Sequence, residues 1–373
     1  MVLRKVVFSI LGLAGIGIIS LLGAMRYTAA CPDTGTAALS SEPGMLAAKY
    51  NCYGPPEVVH LASVAVPNPA SDEVLVHVEA AAVNPYDWHF MRGSPYFMRL
   101  MSGIGRPSDA RLGVDFAGTV IATGNQAKRF KVGDRVYGGA AGAFAEMLTR
   151  RETGSIAPIP DNVSFAQAAA VPIAGITALQ ALRDHGALKP GERVLINGAS
   201  GGVGTFAVQI AKSMGAHVTG VCSGRNVAMV RDIGADAVIN YKTDDYTTQD
   251  RRYDLIVDMV GNHGPLANQA VLTPAGRLVI VGGQPGDWLG PLTGPIMAAV
   301  ANLWTEQELT SMTGSMVQSD MELLADMMAD GRVVPVIDRH YPLAEVRDAI
   351  RYSESGRARG KIILDIAAPG QGS

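Results

Sequence analysis

The chain has 373 residues, a formal net charge of -3, 48% hydrophobic residues and 17% charged residues. This length accommodates about two domains, and the small negative charge gives no electrostatic basis for binding nucleic acid. The three cysteines, Cys31, Cys52 and Cys222, lack metal-ligand spacing, which excludes a disulfide-built scaffold and a multi-cysteine zinc site.

Residues 1–31 predict a membrane anchor or a signal segment. The stretch from Val6 to Met25 carries no charge, and an apolar helix of about 20 residues is long enough to cross a bilayer. A secretory h-region is usually shorter, about 7–15 residues, so we favour an uncleaved single-span anchor over a cleaved signal peptide. A lipoprotein cleavage box at TAAC, ending in Cys31, is a weaker alternative. Residues 32–43 are small and polar and predict a flexible linker.

Residues 44–165 predict a compact β domain. The stretches from Leu75 to Val83 and from Val114 to Gly124 are apolar and β-branched, which is typical of strands. A turn followed by a strand is predicted from Lys131 to Gly138, and another strand from Ala143 to Arg150.

The pattern changes over residues 166–315, where helices and strands alternate. Strands are predicted from Arg193 to Gly198 and from His217 to Cys222, with a helix from Thr205 to Gly215 between them. Such βαβ repetition indicates a parallel, doubly wound sheet. Residues 316–373 return to a mixed pattern, which ends in a strand from Gly360 to Ile366.

A glycine-rich loop, NGASGGVG from Asn197 to Gly204, joins the first of these strands to the helix. This spacing is a variant of the dinucleotide fingerprint, in which small residues permit a tight turn and a close approach to a pyrophosphate. The N–H groups at the start of the helix then face the anion. The predicted cofactor contacts in this loop are Ala199, Ser200, Gly201, Gly202, Val203 and Gly204.

The end of the second strand predicts which dinucleotide binds. An NAD site usually carries an acidic residue there, to accept a hydrogen bond from the ribose hydroxyl. This strand is followed instead by Ser223 and Arg225, and a hydroxyl and a guanidinium suit a 2′-phosphate. We therefore predict NADP(H) as the cofactor.

Several stretches together resemble the medium-chain dehydrogenase/reductase superfamily: LGVDFAGTV, RFKVGDRVYG, LKPGERVLINGASGGVGTFAVQIAKSMGA and GRARGKIILDI. The loop and the NPYDW stretch are most similar to its quinone oxidoreductase branch, which includes the reticulon-interacting mitochondrial group. The resemblance implies an α/β fold with a GroES-like β domain, residues 44–165, interrupted by a Rossmann domain, residues 166–315. Residues 316–373 would then rejoin the first domain, with the active site in the cleft and a homodimer as the possible assembly.

The departures from the zinc-dependent members of that superfamily predict that no metal is bound. This chain has Asn84 where those enzymes have a cysteine ligand, and Val114-Asp115 where they have a His-Glu pair. The third ligand would fall near Ala170 or Val171. A catalytic zinc needs about three good ligands.

The resemblance also assigns roles to individual residues. Asn84 would lie beside the nicotinamide, Tyr86 would hydrogen-bond or protonate the acceptor, and Tyr96 would line the substrate pocket. Ordinary packing is an equally weighted alternative for both tyrosines. Further cofactor contacts would come from residues near the adenosine end and from a basic tail segment, namely Tyr241, Arg357, Ala358 and Arg359.

The predicted function is zinc-independent, NADPH-dependent reduction of a quinone or an α,β-unsaturated carbonyl compound, with the enzyme tethered to a membrane. The alternatives are an NADPH-binding sensor or scaffold without turnover, and an NADP-dependent alcohol or aldehyde oxidoreductase. The positive-inside rule places the body outside the cytoplasm, because Arg4 and Lys5 precede the span and Arg26 alone follows it closely. Cofactor supply favours a cytoplasmic-facing body, which we predict, with export as the alternative.

Overall fold

The computed structural model describes residues 20–31, 44–283, 286–288 and 290–366. Most of the predicted anchor, residues 6–19, and the linker at 32–43 lie outside these ranges. Among the described residues, no helix is both long enough and apolar enough to cross a bilayer. The anchor and the linker therefore stay predictions.

Strands dominate the β domain, and strands alternate with helices in the cofactor domain, as the sequence predicted. The strands are β1 Met45–Tyr50, β2 Val59–Val64, β3 Glu73–Val83, β4 Asp115–Thr123, β5 Arg135–Gly139, β6 Met147–Arg151, β7 Ile156–Pro158, β8 Arg193–Asn197, β9 His217–Cys222, β10 Ala237–Asn240, β11 Tyr253–Asp258, β12 Leu272–Ile280, β13 Glu308–Ser311, β14 Ile337–Pro342 and β15 Lys361–Asp365. The helices are α1 (residues 20–26), α2 Pro85–Arg92, α3 Arg99–Ser102, α4 Phe165–Ala169, α5 Pro172–Gln180, α6 Gly202–Ser213, α7 Val227–Asp232, α8 Pro265–Gln269, α9 Gly290–Ala301, α10 Gln318–Ala329 and α11 Val346–Glu354.

The cofactor domain contains a six-stranded parallel sheet in the order β10-β9-β8-β11-β12-β13. Numbered along the chain from β8, this is the 3-2-1-4-5-6 order of the doubly wound dinucleotide-binding fold. The central strands β8, β9 and β11 are mostly apolar and buried, because helices cover both faces of the sheet. The predicted parallel, doubly wound sheet is confirmed.

The second sheet belongs to the β domain and has seven strands, in the order β14-β15-β3-β4-β5-β7, with β6 also paired to β3. The strand β15, near the end of the chain, runs antiparallel to β3 and places Ile362 opposite Val83. The C-terminal segment therefore completes the sheet that residues 73–158 begin. Only the second half of the predicted strand from Ala143 to Arg150 joins this sheet, because Phe144 and Ala145 pair with β1 instead.

A disulfide between Cys31 and Cys52 fastens the N-terminal segment to the β domain. The two Cα atoms are 5.1 Å apart across a separation of 21 residues. The sequence analysis did not predict this bond, since two cysteines without a motif give no pairing signal. The lipoprotein interpretation is wrong for this fold, because the Cys31 sulfur is already bonded.

Candidate functional site

The glycine-rich loop has the geometry of a phosphate cradle. It follows β8 and leads into α6, which begins at Gly202 with Gly201 as its N-cap residue. A Cβ on Gly204 would lie 2.1 Å from the Gly198 carbonyl oxygen, so only glycine fits where the helix packs on the loop. A Cβ on Gly201 would meet no protein atom closer than 3.4 Å, which leaves room for a ligand. The N–H groups of the first helical turn have no partner within the helix and face this space.

The ends of β9 and β10 form the wall of the candidate cofactor site next to the glycine-rich loop. Ser223 follows β9 and Tyr241 follows β10, and the Tyr241 N–H donates to the Cys222 carbonyl at 3.1 Å. The exposed Arg225 belongs to the same turn. Asn226 is buried, and its Nδ2 donates to the Ser200 hydroxyl at 2.9 Å, which ties this wall to the phosphate loop. The sequence analysis missed this asparagine.

The basic tail reaches the same place. The Gly360 N–H donates to the Ser200 carbonyl at 3.0 Å, and Arg225 donates to the Arg357 carbonyl at 2.7 Å. Arg357 and Arg359 are exposed, whereas the side chain of Ala358 packs against the β-domain core. The structure therefore brings together the predicted contacts at Ser200, Arg225 and the tail. We call Arg225, Arg357 and Arg359 the basic rim.

A buried polar cluster lies where three strands meet. Asn84 follows β3, Asp115 begins β4 and Lys361 begins β15, and all three are at most 3% exposed. The strand registers bring them together, because Val83 pairs with Ile362 and Ala82 pairs with Asp115. We call Asn84, Asp115 and Lys361 the lysine cluster.

Hydrogen bonds engage both ends of the Asn84 amide. The Lys361 ammonium donates to Asn84 Oδ1 and lies 3.4 Å from Asp115 Oδ2. Asn84 Nδ2 donates to Asp115 Oδ2 at 2.9 Å and to the Ala82 carbonyl at 3.2 Å. The Lys361 stem passes the phosphate loop, since its Cδ lies 3.3 Å from the place of a Cβ on Gly202. One side chain therefore connects the predicted catalytic asparagine with the cofactor loop.

Asp87 is a second buried carboxyl beside this cluster. Its Oδ2 accepts from the Asn84 N–H at 2.7 Å, which caps the start of helix α2. Its Oδ1 is buried without a hydrogen-bond partner. Burial and the neighbouring Asp115 raise the pKa of Asp87 to about 8. The charges explain this shift, because two buried carboxyls share one ammonium and the second is held neutral by a proton.

A cavity of about 190 Å³ opens on the β-domain side of this cluster. Its lining includes aromatic, apolar and polar side chains: Tyr50, Tyr86, Asp87, Phe90, Met101 and Ser102. The Tyr86 ring packs on Phe90 with centroids 4.4 Å apart. Burial raises the pKa of Tyr86, so its hydroxyl stays protonated at neutral pH and is available as a donor.

Tyr96 lies apart from this cavity lining. Its ring packs edge-on against Trp288 at a centroid distance of 4.9 Å, and its N–H donates to the Asp287 carbonyl at 2.7 Å. Tyr96 thus contacts the segment at 286–288 that comes from the cofactor domain. Its role as a pocket residue stays a prediction.

Asp258, at the carboxyl end of β11, has a structural role. Its Oδ1 accepts from Asn197 Nδ2 at 2.8 Å and from the N–H groups of Val260 and Gly261 at 3.0 and 2.9 Å. A smaller cavity of about 150 Å³ lies beside it, at the ends of β11 and β12. Asp258 thereby fixes the turn that borders the cofactor loop.

Two family models match the chain. The Alcohol dehydrogenase GroES-like domain matches residues 70–181, and the Zinc-binding dehydrogenase model matches residues 233–364. The first match covers most of the β domain and extends through α5, and the second runs from β10 of the cofactor domain to β15 of the β domain.

Several proteins are similar in sequence to most of this chain. The chloroplast envelope quinone oxidoreductase homolog of Arabidopsis thaliana is 33% identical over 340 residues, which cover 86% of this chain and 98% of that protein. The trans-enoyl reductase pgmF of Aspergillus terreus is 35% identical over 335 residues, which cover 80% of this chain and 88% of that protein. Among solved structures, the Escherichia coli quinone oxidoreductase complexed with NADPH has a TM-score of 0.73 and 25% identity, and covers 86% of this chain and all of its own.

The fold, the cofactor loop and these matches agree with the family expected from the sequence motifs. The GroES-like and Rossmann-type parts of the predicted fold are confirmed. This chain belongs to the medium-chain dehydrogenase/reductase superfamily, and its relatives there include quinone oxidoreductases.

Proposed function

We propose that this chain, an NAD(P)H-dependent oxidoreductase, reduces quinones or α,β-unsaturated carbonyl compounds with NADPH and without zinc. The observation that carries the proposal is the lysine cluster, a buried ammonium held between an amide and a carboxylate beside the phosphate loop. The names of the relatives, quinone oxidoreductase and trans-enoyl reductase, support the substrate class.

The residues at the loop fit a phosphorylated dinucleotide. The space above Gly201 and the N–H groups of the first turn of α6 suit the pyrophosphate. The basic rim consists of three exposed arginines, of which Arg225 belongs to the turn after β9 and donates to the Arg357 carbonyl. No acidic residue stands in that turn, and this composition suits a 2′-phosphate. The Escherichia coli quinone oxidoreductase of similar fold is complexed with NADPH, in agreement with this preference.

The same residues do not fit a catalytic zinc. The candidate position offers one amide and one carboxylate, and a zinc site needs about three good donors. The Lys361 ammonium already occupies the bonding positions of Asn84 Oδ1 and Asp115. A divalent cation placed there would be repelled by this charge at short range.

Conjugated acceptors suit a site of this kind. Reduced nicotinamide supplies a hydride, and a conjugated acceptor spreads the resulting charge over several atoms. Hydrogen-bond donors then suffice in place of a Lewis acid. The Tyr86 hydroxyl lines the cavity and is held protonated, so it is positioned to hydrogen-bond an acceptor oxygen. The lysine cluster fixes Asn84, and the aromatic rings of the cavity offer apolar faces against which a planar substrate could pack.

The disulfide bears on where the body resides. Disulfides persist in oxidising compartments and are rare in the cytosol. The Cys31–Cys52 bond therefore agrees with the positive-inside rule and favours the exported alternative over the cytoplasmic-facing body. We propose that a membrane tether at the N-terminus holds the body on that side.

A direct assay tests the function. The purified full chain in detergent is supplied with NADPH or NADH and with 9,10-phenanthrenequinone, an enone or a simple aldehyde, with metal analysis of the same sample. We expect NADPH oxidation with the first two acceptors and no stoichiometric zinc. Cofactor binding without turnover on any acceptor would favour the sensor alternative, and turnover on the aldehyde alone would favour the alcohol or aldehyde oxidoreductase.

A further inference from the structure

An exposed apolar patch surrounds the place where the N-terminal segment meets the β domain. Its members come from α1 and the residue after it and from α3 and the loop that follows: Leu21, Leu22, Tyr27, Leu100, Met101 and Ile104, each between 39% and 75% exposed. Contiguous exposed apolar surface on a folded body marks a contact site.

The N-terminal segment is held on this face by many contacts. Arg99 is buried, and its Nη1 donates to the carbonyls of Met25 and Tyr27 at 3.0 and 2.9 Å and to the Thr28 hydroxyl at 3.0 Å. The Ala29 N–H donates to the Gly105 carbonyl at 2.8 Å. With the disulfide from Cys31, these bonds hold α1 and the residues after it against the β domain.

The same face borders the predicted substrate cavity. Met101 belongs to the patch and also lines the cavity, and its neighbour Ser102 lines it too. The Ser102 hydroxyl bonds to the Tyr53 hydroxyl at 2.8 Å, one residue after the disulfide-bonded Cys52. The cavity wall and the attachment of the N-terminal segment are therefore parts of one unit.

The sequence that leads up to Met25 indicates what covers the patch. The uncharged stretch from Val6 to Met25 runs directly into the patch, and its length matches the apolar core of a bilayer. Tyr27 belongs to the patch, and the exposed Arg26 and Arg106 are neighbours in sequence of patch members. Tyrosine and arginine are the residues that settle at the boundary between lipid tails and headgroups.

We propose that this patch lies against a lipid bilayer, and that the cavity beside it receives its acceptor from the bilayer interface. The acceptor is then a quinone or enone that carries a long apolar chain. The proposed contact with the bilayer is argued from the patch and the attached N-terminal segment, whereas the nature of the acceptor rests on the proposed function.

A fluorescence experiment tests the surface without reference to activity. The full chain is reconstituted into vesicles of phosphatidylcholine and phosphatidylglycerol, with or without brominated acyl chains. We expect the emission added by Leu100→Trp to fall by about half or more in brominated vesicles, because interfacial side chains reach about 5–10 Å into the headgroup boundary. The matched variant Val132→Trp, equally exposed but remote from the patch in sequence, should show no quenching. Equal quenching of the two variants, or none, would overturn the proposal, and self-association that shields Leu100→Trp would assign the patch to a second copy instead.

An activity experiment tests the acceptor. Two benzoquinones with the same ring, one with a decyl chain and one without, are compared in the same vesicles with NADPH. In Leu100→Ser/Ile104→Ser we expect turnover of the decyl quinone to fall about tenfold or more, since two apolar contacts with lipid are lost. Turnover of the short quinone should stay within about twofold of the unmodified chain, and so should both activities in the control Val132→Ser/Leu303→Ser.

The outcomes separate the two proposals. An equal fall for both quinones, or no fall for either, would refute delivery of the acceptor from the bilayer. If no quinone or enone is reduced by any variant, the proposed function fails while the quenching result still decides whether the patch contacts lipid.

Discussion

The lysine cluster and the basic rim are both built from cations that face the cofactor loop, but they differ in how their charges are satisfied. In the lysine cluster every charge is buried and bonded to protein. In the basic rim the three arginines are exposed, and Arg225 donates to the backbone carbonyl of Arg357. A buried cluster fixes geometry because unpaired charge there is costly, whereas an exposed set of like charges is most stable when an anion binds. The first is part of the fold, and the second is completed by the ligand.

Replacing the ammonium should produce the largest effect. In Lys361→Met the carboxylate of Asp115 loses its buried counter-charge, and we expect the free energy of unfolding to fall by about 3–5 kcal/mol, with activity lost. Denaturant titration measures the change. The double variant Lys361→Met/Asp115→Asn removes both charges and should recover much of the stability. A double variant no more stable than the single one would show that the cluster is not an ion pair of this kind.

Two glycine variants separate the fold of the loop from its ligand. In Gly204→Ala the new Cβ would lie 2.1 Å from the Gly198 carbonyl oxygen, so we expect a loss of about 2–3 kcal/mol in stability together with weaker NADPH binding. Gly201→Ala meets no protein atom within 3.4 Å and should keep its stability while NADPH binding weakens. Thermal unfolding and NADPH titration test both variants, and unchanged NADPH affinity in Gly201→Ala would place the pyrophosphate elsewhere.

We expect the basic rim to set the choice between the two dinucleotides. We expect Arg225→Gln to lower the ratio of kcat/KM for NADPH to that for NADH by about tenfold, since one charge-assisted contact with a 2′-phosphate is lost. The matched control is Arg252→Gln, an exposed arginine of the same domain outside the rim. If both variants change the ratio equally, the effect is one of general charge and not of the rim.

The smallest effect should come from replacing Asp87, the second buried carboxyl beside the lysine cluster. The pKa of Asp87 is raised from about 3.9 in the unfolded chain to about 8 in the fold. The native state therefore holds an extra proton between these values, and its stability should decrease as pH rises from about 4 towards 8.

Asp87→Asn keeps a neutral group at every pH and should flatten this dependence, so that the variant is more stable than the unmodified chain at pH 8. Denaturant titrations at several pH values measure it. If the free energy of unfolding depends on pH in the same way in the variant and in the unmodified chain, ionisation of Asp87 does not destabilise the fold.

The sequence predicted the cofactor loop, which depends on a local pattern of residues. It missed the lysine cluster, which depends on pairing between strands that are far apart in the chain. The loop from Asn197 to Gly204 lies between a strand and a helix within a short stretch, so residue spacing alone locates it. The bond from Lys361 to Asn84 joins residues 277 positions apart, and only the antiparallel register of β15 on β3 brings them together. A lysine at the start of an apolar strand was the one available signal. Cys31 and Cys52 gave none, because pairing depends on where the N-terminal segment folds back.

The position of Lys361 along the chain has a consequence for how the protein is made. Asp87 and Asp115 leave the ribosome early, and the ammonium that faces them arrives only with the last strand of the sheet. Until synthesis reaches β15, the Asp115 carboxylate lacks its counter-ion, and the cofactor loop lacks the Gly360 N–H that donates to the Ser200 carbonyl. A nascent chain from which most of both domains has been synthesised is therefore still inactive. It becomes catalytically competent only when β15 has been synthesised and has paired with β3.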